Sequence, residues 1–391
     1  MAATTDSGDQ FRKTIFADLN AFTSSSSTNF SYQDYLDEQL YVSYIIDLCV
    51  SPILYVVGAI GNLISAMIWI RRRGTSSAIY LAAMSINDSL FLLLHAVLEA
   101  NRMWSIRTIM FPAVCEIFAS IFMATQYFMT AIVLGFTAER FIAVRYPLLK
   151  IKICTAKRAL KVVTVLIAVC LLLAGLQLHF WKYDSMSMSC FVPAEVESAF
   201  VVWSWITEMV FSLVVPLVIL VINILVMREI RLQLTASMKL NAASPAAVTG
   251  SGSGGHGENG SDACRNTATR RARLAATNAV LLTVSFYLIL TTLPVTLVYL
   301  VNDAFPMGDK RVDSRAVMSA DPVWRRFIVF ETISIIVNEF CMSHAAAGVL
   351  LFAASSSEFR RAVFDLFRRC LRTRQRQMTV GVRYRHTTAN Q

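Results

Sequence analysis

Charged side chains are scarce in this chain. Asp, Glu, Lys and Arg make up 16% of its 391 residues, whereas soluble domains carry about 25%. Hydrophobic residues make up 55% of the sequence, which is high for a soluble domain. These two shares exclude an ordinary soluble domain, and they predict a membrane protein.

Long apolar segments recur along the sequence. A membrane-spanning helix needs about 20 predominantly apolar residues. Seven segments meet this length: Tyr44–Ile70, Ser77–Ala100, Pro112–Val144, Ala159–Trp181, Phe200–Met227, Leu274–Val301 and Phe327–Ala354. The sequence lacks the alternation typical of strands, and only helices and closed barrels satisfy backbone polar groups in lipid. We therefore predict an all-α membrane protein, a seven-transmembrane helix bundle over residues 44–354.

Lys and Arg residues fall mainly on one side of these segments. With the amino terminus outside, most of the 36 basic residues lie in inner segments, including Arg71–Arg73 and the arginines between Arg360 and Arg385. Because cytoplasmic loops carry the basic excess, we predict a multi-pass plasma-membrane protein with an extracellular amino terminus. The net charge of +10 then belongs to the inner membrane face, and we expect no nucleic-acid partner.

The segments outside the bundle are polar or basic. Residues 1–43 lack the apolar stretch of a removable signal peptide, and we predict a flexible extracellular tail that is glycosylated at Asn29 in Asn29-Phe30-Ser31. The third inner loop, about residues 231–271, is predicted to be flexible as well. Residues 355–391 form a basic cytoplasmic tail. It begins with an amphipathic helix on the membrane surface, Ser356–Cys370, and Cys370 is a candidate palmitoylation site.

Two cysteines lie where the environment is oxidising. Cys115 is at the outer end of the third segment, and Cys190 is in the outer loop after the fourth. These two residues can meet and form a disulfide. No Cys/His cluster has the spacing of a zinc site, so we expect neither a bound metal nor a cofactor.

Short motifs occur in an order and at depths that one family shares. They are Gly61-Asn62, Asp88, Glu139-Arg140 in FTAERFIAVRYPL (residues 136–148), Pro216, Pro294 and Phe359-Arg360. Arg140 follows Cys115 by roughly 25 residues, which is about 37 Å of helix and enough to cross the membrane. From Gly61 to about Cys370 the chain resembles the rhodopsin-like (class A) G-protein-coupled receptors.

The resemblance implies a two-state switch at the inner end of the third segment. Arg140 would pair with Glu139 while the cytoplasmic cavity is closed, and it would contact a bound heterotrimeric G protein when the helices part. Asp88 is costly in the membrane and should face the bundle interior, where a structural hydrogen bond to Asn62 is the simpler alternative. A heterotrimeric G protein and arrestin are the implied cytoplasmic partners.

The chain departs from the family at three switch positions. The sixth-helix signature Cys-Trp-x-Pro reads TTLP (residues 291–294), and the seventh-helix Asn-Pro-x-x-Tyr reads GVLLF (residues 348–352). The acidic residue that often pairs with the third-helix arginine is replaced by Leu274. Glu139 is then the one obvious acidic partner of Arg140, and we predict a basal activity away from the family norm.

The outer half of the bundle restricts the ligand class. The seventh segment has no lysine to hold retinal, and Phe122 stands where amine receptors have an aspartate. Candidate ligand-binding residues are Glu99, Phe122, Gln126, Tyr127, Glu208, Tyr299 and Glu331. Glu99 and Glu208 could receive an arginine or an amine. Because the chain looks most like invertebrate receptors for FMRFamide-like neuropeptides, we expect a short cationic peptide as the extracellular ligand.

Other functions remain open at this point. A transporter would show repeated halves and ionisable residues at the midplane, and no repeat is visible. An enzyme would need a nucleophile–base pair or a metal cluster, and the histidines are scattered. A constitutive or decoy receptor would fit the missing switch residues, and a chemosensory receptor for a small molecule would fit the same fold.

Overall fold

The computed structural model describes residues 32–103, 106, 109, 111–186, 189–242, 258–309, 314–366 and 368. Seven of its helices are long and apolar enough to cross a membrane, and we number them as the first to seventh spans in chain order. Their bounds are Tyr41–Arg71, Ser76–Asn101, Val114–Arg145, Ala156–Phe180, Ala194–Gln233, Ala279–Ala304 and Pro322–Ala346. The predicted seven-helix bundle is confirmed.

The spans are built from longer or interrupted helices. The α-helices are Tyr32–Gln39, Tyr41–Arg71, Ser76–Met103, Val114–Arg145, Pro147–Ile153, Ala156–Ala174, Gln177–Phe180, Ala194–Glu208, Val215–Ala242, Glu258–Val301, Arg315–Ala320, Pro322–Ala346 and Gly348–Ser355. A π-helical segment, Met209–Val214, interrupts the fifth span, and a short 3₁₀ segment, Asn302–Ala304, ends the sixth. Residues 357–366 are also helical.

The third span lies at the centre of the bundle. Its Ile132 and Val133 are fully buried, and they share one apolar core with Leu81 of the second span, Ile219 of the fifth and Leu288 of the sixth. The sides of these helices that face away from the bundle carry large exposed apolar side chains. A helix that is apolar all round belongs in a membrane, so lipid accounts for the exposed half and helix packing for the buried half.

A two-stranded hairpin lies in the outer loop between the fourth and fifth spans. Strand β1 (Lys182–Asp184) pairs antiparallel with β2 (Ser189–Phe191), with Tyr183 opposite Cys190. The sequence does not predict this hairpin, because three-residue strands are too short to show an alternating pattern. The hairpin places Cys190 over the outer end of the third span.

The outer ends of the first and seventh spans are joined by a small apolar cluster. Trp324 is fully buried there, together with Met318 of the outer loop and Tyr35 and Leu36 of the helix Tyr32–Gln39. Arg315 forms an ion pair with Glu38 of that helix. The sequence predicted a flexible tail up to residue 43, whereas residues 32–39 are helical and packed.

The inner end of the seventh span is broken and then capped. The helix Pro322–Ala346 stops, and Gly348–Ser355 begins after one non-helical residue. Phe352 contacts Trp69 of the first span edge-on at 5.9 Å between ring centroids, and Phe359 stacks on Trp69 at 5.6 Å. This aromatic contact fixes the start of the helix at residues 357–366 against the bundle.

Three predicted features lie outside the described residues. They are the glycosylation site Asn29, the palmitoylation site Cys370 and residues 243–257 of the third inner loop. All three stay predictions.

Candidate functional site

The Glu139–Arg140 pair is buried at the inner end of the third span. Arg140 Nη2 donates to Glu139 Oε1 at 2.9 Å, and only 5% of the arginine side chain and 7% of the glutamate side chain are exposed. The same Nη2 donates to Ser76 Oγ of the second span at 3.3 Å. A buried ion pair needs such additional hydrogen bonds to offset its desolvation. The pair is therefore part of the bundle interior rather than a solvated helix end.

Aromatic and sulfur groups surround this pair. The guanidinium of Arg140 lies 5.3 Å from the ring centroid of Phe136, one helical turn away, and Tyr80 of the second span stacks on that ring at 5.5 Å. The Cys154 thiol points at the Glu139 carbonyl oxygen at 3.8 Å. Its burial, followed by the charge of Glu139, raises the pKa of this thiol, so Cys154 stays uncharged beside the ion pair.

One buried donor of the arginine is unused. The Nε–H of Arg140 has no hydrogen-bond partner among the described residues, although it is shielded from solvent. A buried unsatisfied donor costs about 1–3 kcal/mol. The hydrogen bonding of Arg140 is therefore incomplete in this arrangement, and an acceptor placed near Nε would improve it.

The first and seventh spans approach closely around Asn62. Its side-chain amide donates to the Ala345 carbonyl oxygen at 2.7 Å. A Cβ at Gly348 would lie 2.6 Å from Asn62 Oδ1, and a Cβ at Gly61 would lie 2.6 Å from Val349. A larger residue at either glycine would therefore force these side chains to shift and would widen the contact between the two spans.

Asp88 lies in the same interior, as predicted. Its side chain is buried, and Oδ1 has no hydrogen-bond partner among the described residues. The described contacts include no hydrogen bond between Asp88 and Asn62, whose amide donates to the seventh span.

The outer half contains a second polar group centred on Glu208. This half-buried carboxylate of the fifth span interacts electrostatically with Tyr127 of the third span, Tyr299 of the sixth and Cys341 of the seventh. Groups of four spans therefore lie within electrostatic range of one another, among them three of the predicted ligand-binding residues, Tyr127, Glu208 and Tyr299.

A π-helical turn sets the position of Glu208. Met209–Val214 follows it directly, and the Val215 N–H donates to the Val210 carbonyl, five residues back. Pro216 has no N–H to give the Ser212 carbonyl, and Thr296 Oγ1 of the sixth span donates to that carbonyl at 3.0 Å instead. Such π turns occur frequently at functional sites. Here the turn rotates the outer part of the fifth span and ties it to the sixth.

The remaining predicted ligand residues are more dispersed. Phe122 is buried in an aromatic stack with Phe91 at 5.7 Å and Phe118 at 6.0 Å, so it forms a wall rather than a polar contact. Gln126 is half-buried on the third span. Glu99 and Glu331 are half-buried near the outer ends of the second and seventh spans, and each is engaged in interactions of its own.

The outer end of the third span is fixed covalently. Cys115 and Cys190 form a disulfide with a Cα–Cα separation of 5.9 Å across 75 residues of sequence. The predicted pairing is confirmed. The bond anchors the β1–β2 hairpin at the outer opening of the bundle.

Comparison with known proteins identifies the family. The family model "7 transmembrane receptor (rhodopsin family)" matches residues 61–333, more than half of the chain. The chain belongs to this family. The predicted resemblance is confirmed, and the receptor is a multi-pass signalling protein of the plasma membrane rather than an enzyme.

Two relatives match parts of the receptor. The motilin receptor of Homo sapiens is 31% identical over 125 residues, which is 31% of this chain and 30% of that protein. Neuromedin-U receptor 2 of Rattus norvegicus is 24% identical over 165 residues, which is 41% of this chain and 42% of that protein. Each match spans less than half the length of the relative.

Sequence reasoning missed a further polar contact of the receptor. Ser51 Oγ of the first span donates to Glu339 Oε1 of the seventh at 2.7 Å, and Tyr55 of the first span is hydrogen-bonded to His95 of the second at 3.0 Å. Glu339 could have been found, since an acidic residue inside a predicted span is a functional candidate by default. Glu339 thus adds a further acidic position to the outer half, on the seventh span rather than the fifth, which carries Glu208.

Proposed function

We propose that this receptor binds a short cationic peptide in its outer half and activates a heterotrimeric G protein at its cytoplasmic face. The observation that carries the proposal is the buried Glu139–Arg140 pair at the inner end of the third span. A charged pair with an unused buried donor, placed where the helices can part, is a two-state element that a partner can bias.

The ligand class is supported by the outer carboxylate. Glu208 is half-buried and lies within electrostatic range of groups from three other spans, so an arriving ammonium or guanidinium would form a charge-assisted hydrogen bond in a partly desolvated site. Both relatives carry the name of a peptide, motilin and neuromedin U. A resemblance to receptors for FMRFamide-like peptides agrees with a cationic amidated ligand.

The other elements of the proposal concern topology and further partners. The amino terminus, with Asn29 glycosylated, faces outside, and the helix at residues 357–366 lies on the inner membrane surface with Cys370 palmitoylated. Arrestin is a second cytoplasmic partner, since it would meet the same inner opening as the G protein.

A peptide screen tests the proposal. Cells that carry the receptor with promiscuous G proteins are exposed to a library of short amidated peptides, and guanine-nucleotide exchange is measured against untransfected cells. We expect exchange that depends on peptides with an arginine or a free amine. Exchange driven by uncharged small molecules would favour the chemosensory alternative. If no peptide in the library stimulated nucleotide exchange, the assignment of a peptide ligand would be wrong.

A further inference from the structure

The fifth and sixth spans meet along a seam with matching spacing. Ile219, Asn223 and Val226 of the fifth span are fully buried, at positions i, i+4 and i+7, and Leu281, Ser285 and Leu288 of the sixth span repeat the same pattern. Three of the apolar residues, Ile219, Leu281 and Leu288, belong to one core. Positions spaced in this way lie on one face of a helix. Each helix therefore presents an apolar face with one polar residue in its middle.

The two polar residues bond to each other. Asn223 Nδ2 donates to Ser285 Oγ at 2.8 Å, and the serine hydroxyl donates in turn to the Leu281 carbonyl of its own helix at 2.5 Å. Asn223 Oδ1 has no partner among the described residues. A polar pair inside an apolar seam is a known way to specify helix register, because any slip leaves buried polar groups unpaired.

The fifth span is itself tied to the third at the inner end. Glu229 Oε1 accepts from Arg145 Nη1 at 3.3 Å, and Gln233 Nε2 donates to the Val144 carbonyl at 2.8 Å. The three spans are linked in series. The sixth span cannot move away from the third without breaking the Asn223–Ser285 bond or both of the contacts made by the fifth.

We infer that the Asn223–Ser285 hydrogen bond sets the register of the fifth and sixth spans and holds the cytoplasmic end of the sixth span closed. The residue of the sixth span that would otherwise pair with Arg140 is Leu274 rather than an acid. The Asn223–Ser285 bond takes over the task of holding the sixth span in place. Asn223 and Ser285 are positioning residues. They affect Arg140 indirectly, through the packing of the fifth and sixth spans against the third. The nucleotide-exchange part of the test below rests on the proposed function, whereas the amide-exchange part does not.

The test uses the full-length receptor in nanodiscs without any peptide. Ser285→Ala removes the acceptor and strands the Asn223 amide, which destabilises the closed state, so basal nucleotide exchange should rise about threefold to tenfold. Ser285→Thr keeps the hydroxyl and should restore the low basal rate. Ser65→Ala is the matched control, because Ser65 is equally buried but its hydroxyl donates to the Gly61 carbonyl of its own helix.

Hydrogen–deuterium exchange of residues 279–290 is the second readout, measured without G protein. Ser285→Ala should exchange faster over this segment than Ser285→Thr or Ser65→Ala. Faster amide exchange with flat nucleotide exchange would keep the inference and reject the G-protein assignment. Unchanged amide exchange in Ser285→Ala would overturn the inference, whatever the nucleotide assay shows.

A double variant separates register from simple stability. Asn223→Leu combined with Ser285→Ala replaces both partners with apolar groups, which is nearly neutral for stability. We expect a melting temperature at or above the wild-type value together with a raised basal exchange rate, since an apolar seam can slide. Wild-type basal exchange in this variant would show that the pair only fills space.

Discussion

The two ends of the bundle hold their charged groups in opposite ways. At the inner end, Arg140 and Glu139 are almost completely buried and paired within one helix. At the outer end, Glu208 is only half-buried and interacts with tyrosines and a cysteine but with no basic side chain among these neighbours. The inner charge is already neutralised, whereas the outer charge is poised to accept a cation.

This difference assigns the two ends different tasks. A paired and buried charge is stable until a larger partner opens the bundle around it. The inner end is therefore suited to release its arginine when a partner binds. A half-buried carboxylate gains from an incoming cation without any prior rearrangement, so the outer end is built to receive. Substitutions that remove one task and spare the other will test the comparison.

The largest expected effect is at the inner end. Arg140→Ala should reduce peptide-stimulated nucleotide exchange to background while radiolabelled peptide still binds, because only the cytoplasmic contact is removed. The buried Glu139 left without its partner costs about 3–5 kcal/mol, so surface expression must be followed with an amino-terminal epitope.

Arg140→Lys guards against a variant that fails to fold. It retains the charge for Glu139 but loses the planar fork of donors, and it should reach the surface with strongly reduced exchange. Arg73→Ala, an exposed arginine of the first inner loop, is the matched control. Normal exchange in Arg140→Ala would contradict the role given to the inner end.

The second-largest effect is expected when the disulfide at the outer end is removed, which leaves the inner end unchanged. Cys115→Ser or Cys190→Ser releases the hairpin, and loss of a native disulfide costs about 2–5 kcal/mol. We expect a lower melting temperature by tryptophan emission and loss of the peptide response, with basal exchange retained. The double variant should match either single one, because both break the same bond. Cys49→Ser, a free cysteine on the exposed side of the first span, should change neither property.

The third effect is confined to the outer carboxylate. Glu208→Gln keeps the shape and removes the charge, and a hydrogen bond to a charged group contributes about 1.5–3 kcal/mol. The potency of a cationic peptide should fall about 10- to 100-fold, with an unchanged maximal response. Glu197→Gln, on the exposed face of the same helix, is the control. Equal loss for an uncharged analogue of the peptide would place the cation elsewhere, with Glu339 as the next residue to substitute.

Sequence reasoning reached those features that depend on composition and order along the chain. Apolar length gave the seven spans, and topology brought Cys115 and Cys190 to one side. The ion pair at Glu139-Arg140 was predicted because its partners are adjacent in sequence, so no knowledge of helix packing was needed.

The features that escaped prediction depend on contacts between spans. Asn223 and Ser285 are unremarkable in the sequence, and their pairing follows only from how two helices face each other. Trp324 was assigned no role. The apolar cluster that buries it is completed by the helix Tyr32–Gln39, and the polar composition of that segment indicated a flexible tail. The π-helical turn before Pro216 was not predicted either, because a proline inside a helix also fits an ordinary kink.

The smallest effect compares two links within the inner end. The Arg145–Glu229 pair is more than half exposed at the arginine, 53% against 19% at the glutamate, and exposed pairs contribute about 0.2–1 kcal/mol. Arg145→Gln should therefore raise basal exchange less than about fivefold, and less than Ser285→Ala does in the same membranes. Raising the salt concentration should shrink the effect of Arg145→Gln but not that of Ser285→Ala, because solvent ions screen exposed pairs and do not reach the buried seam. If Arg145→Gln proved the stronger of the two, the restraint on the inner end would lie at the surface, and the buried pair would set register alone.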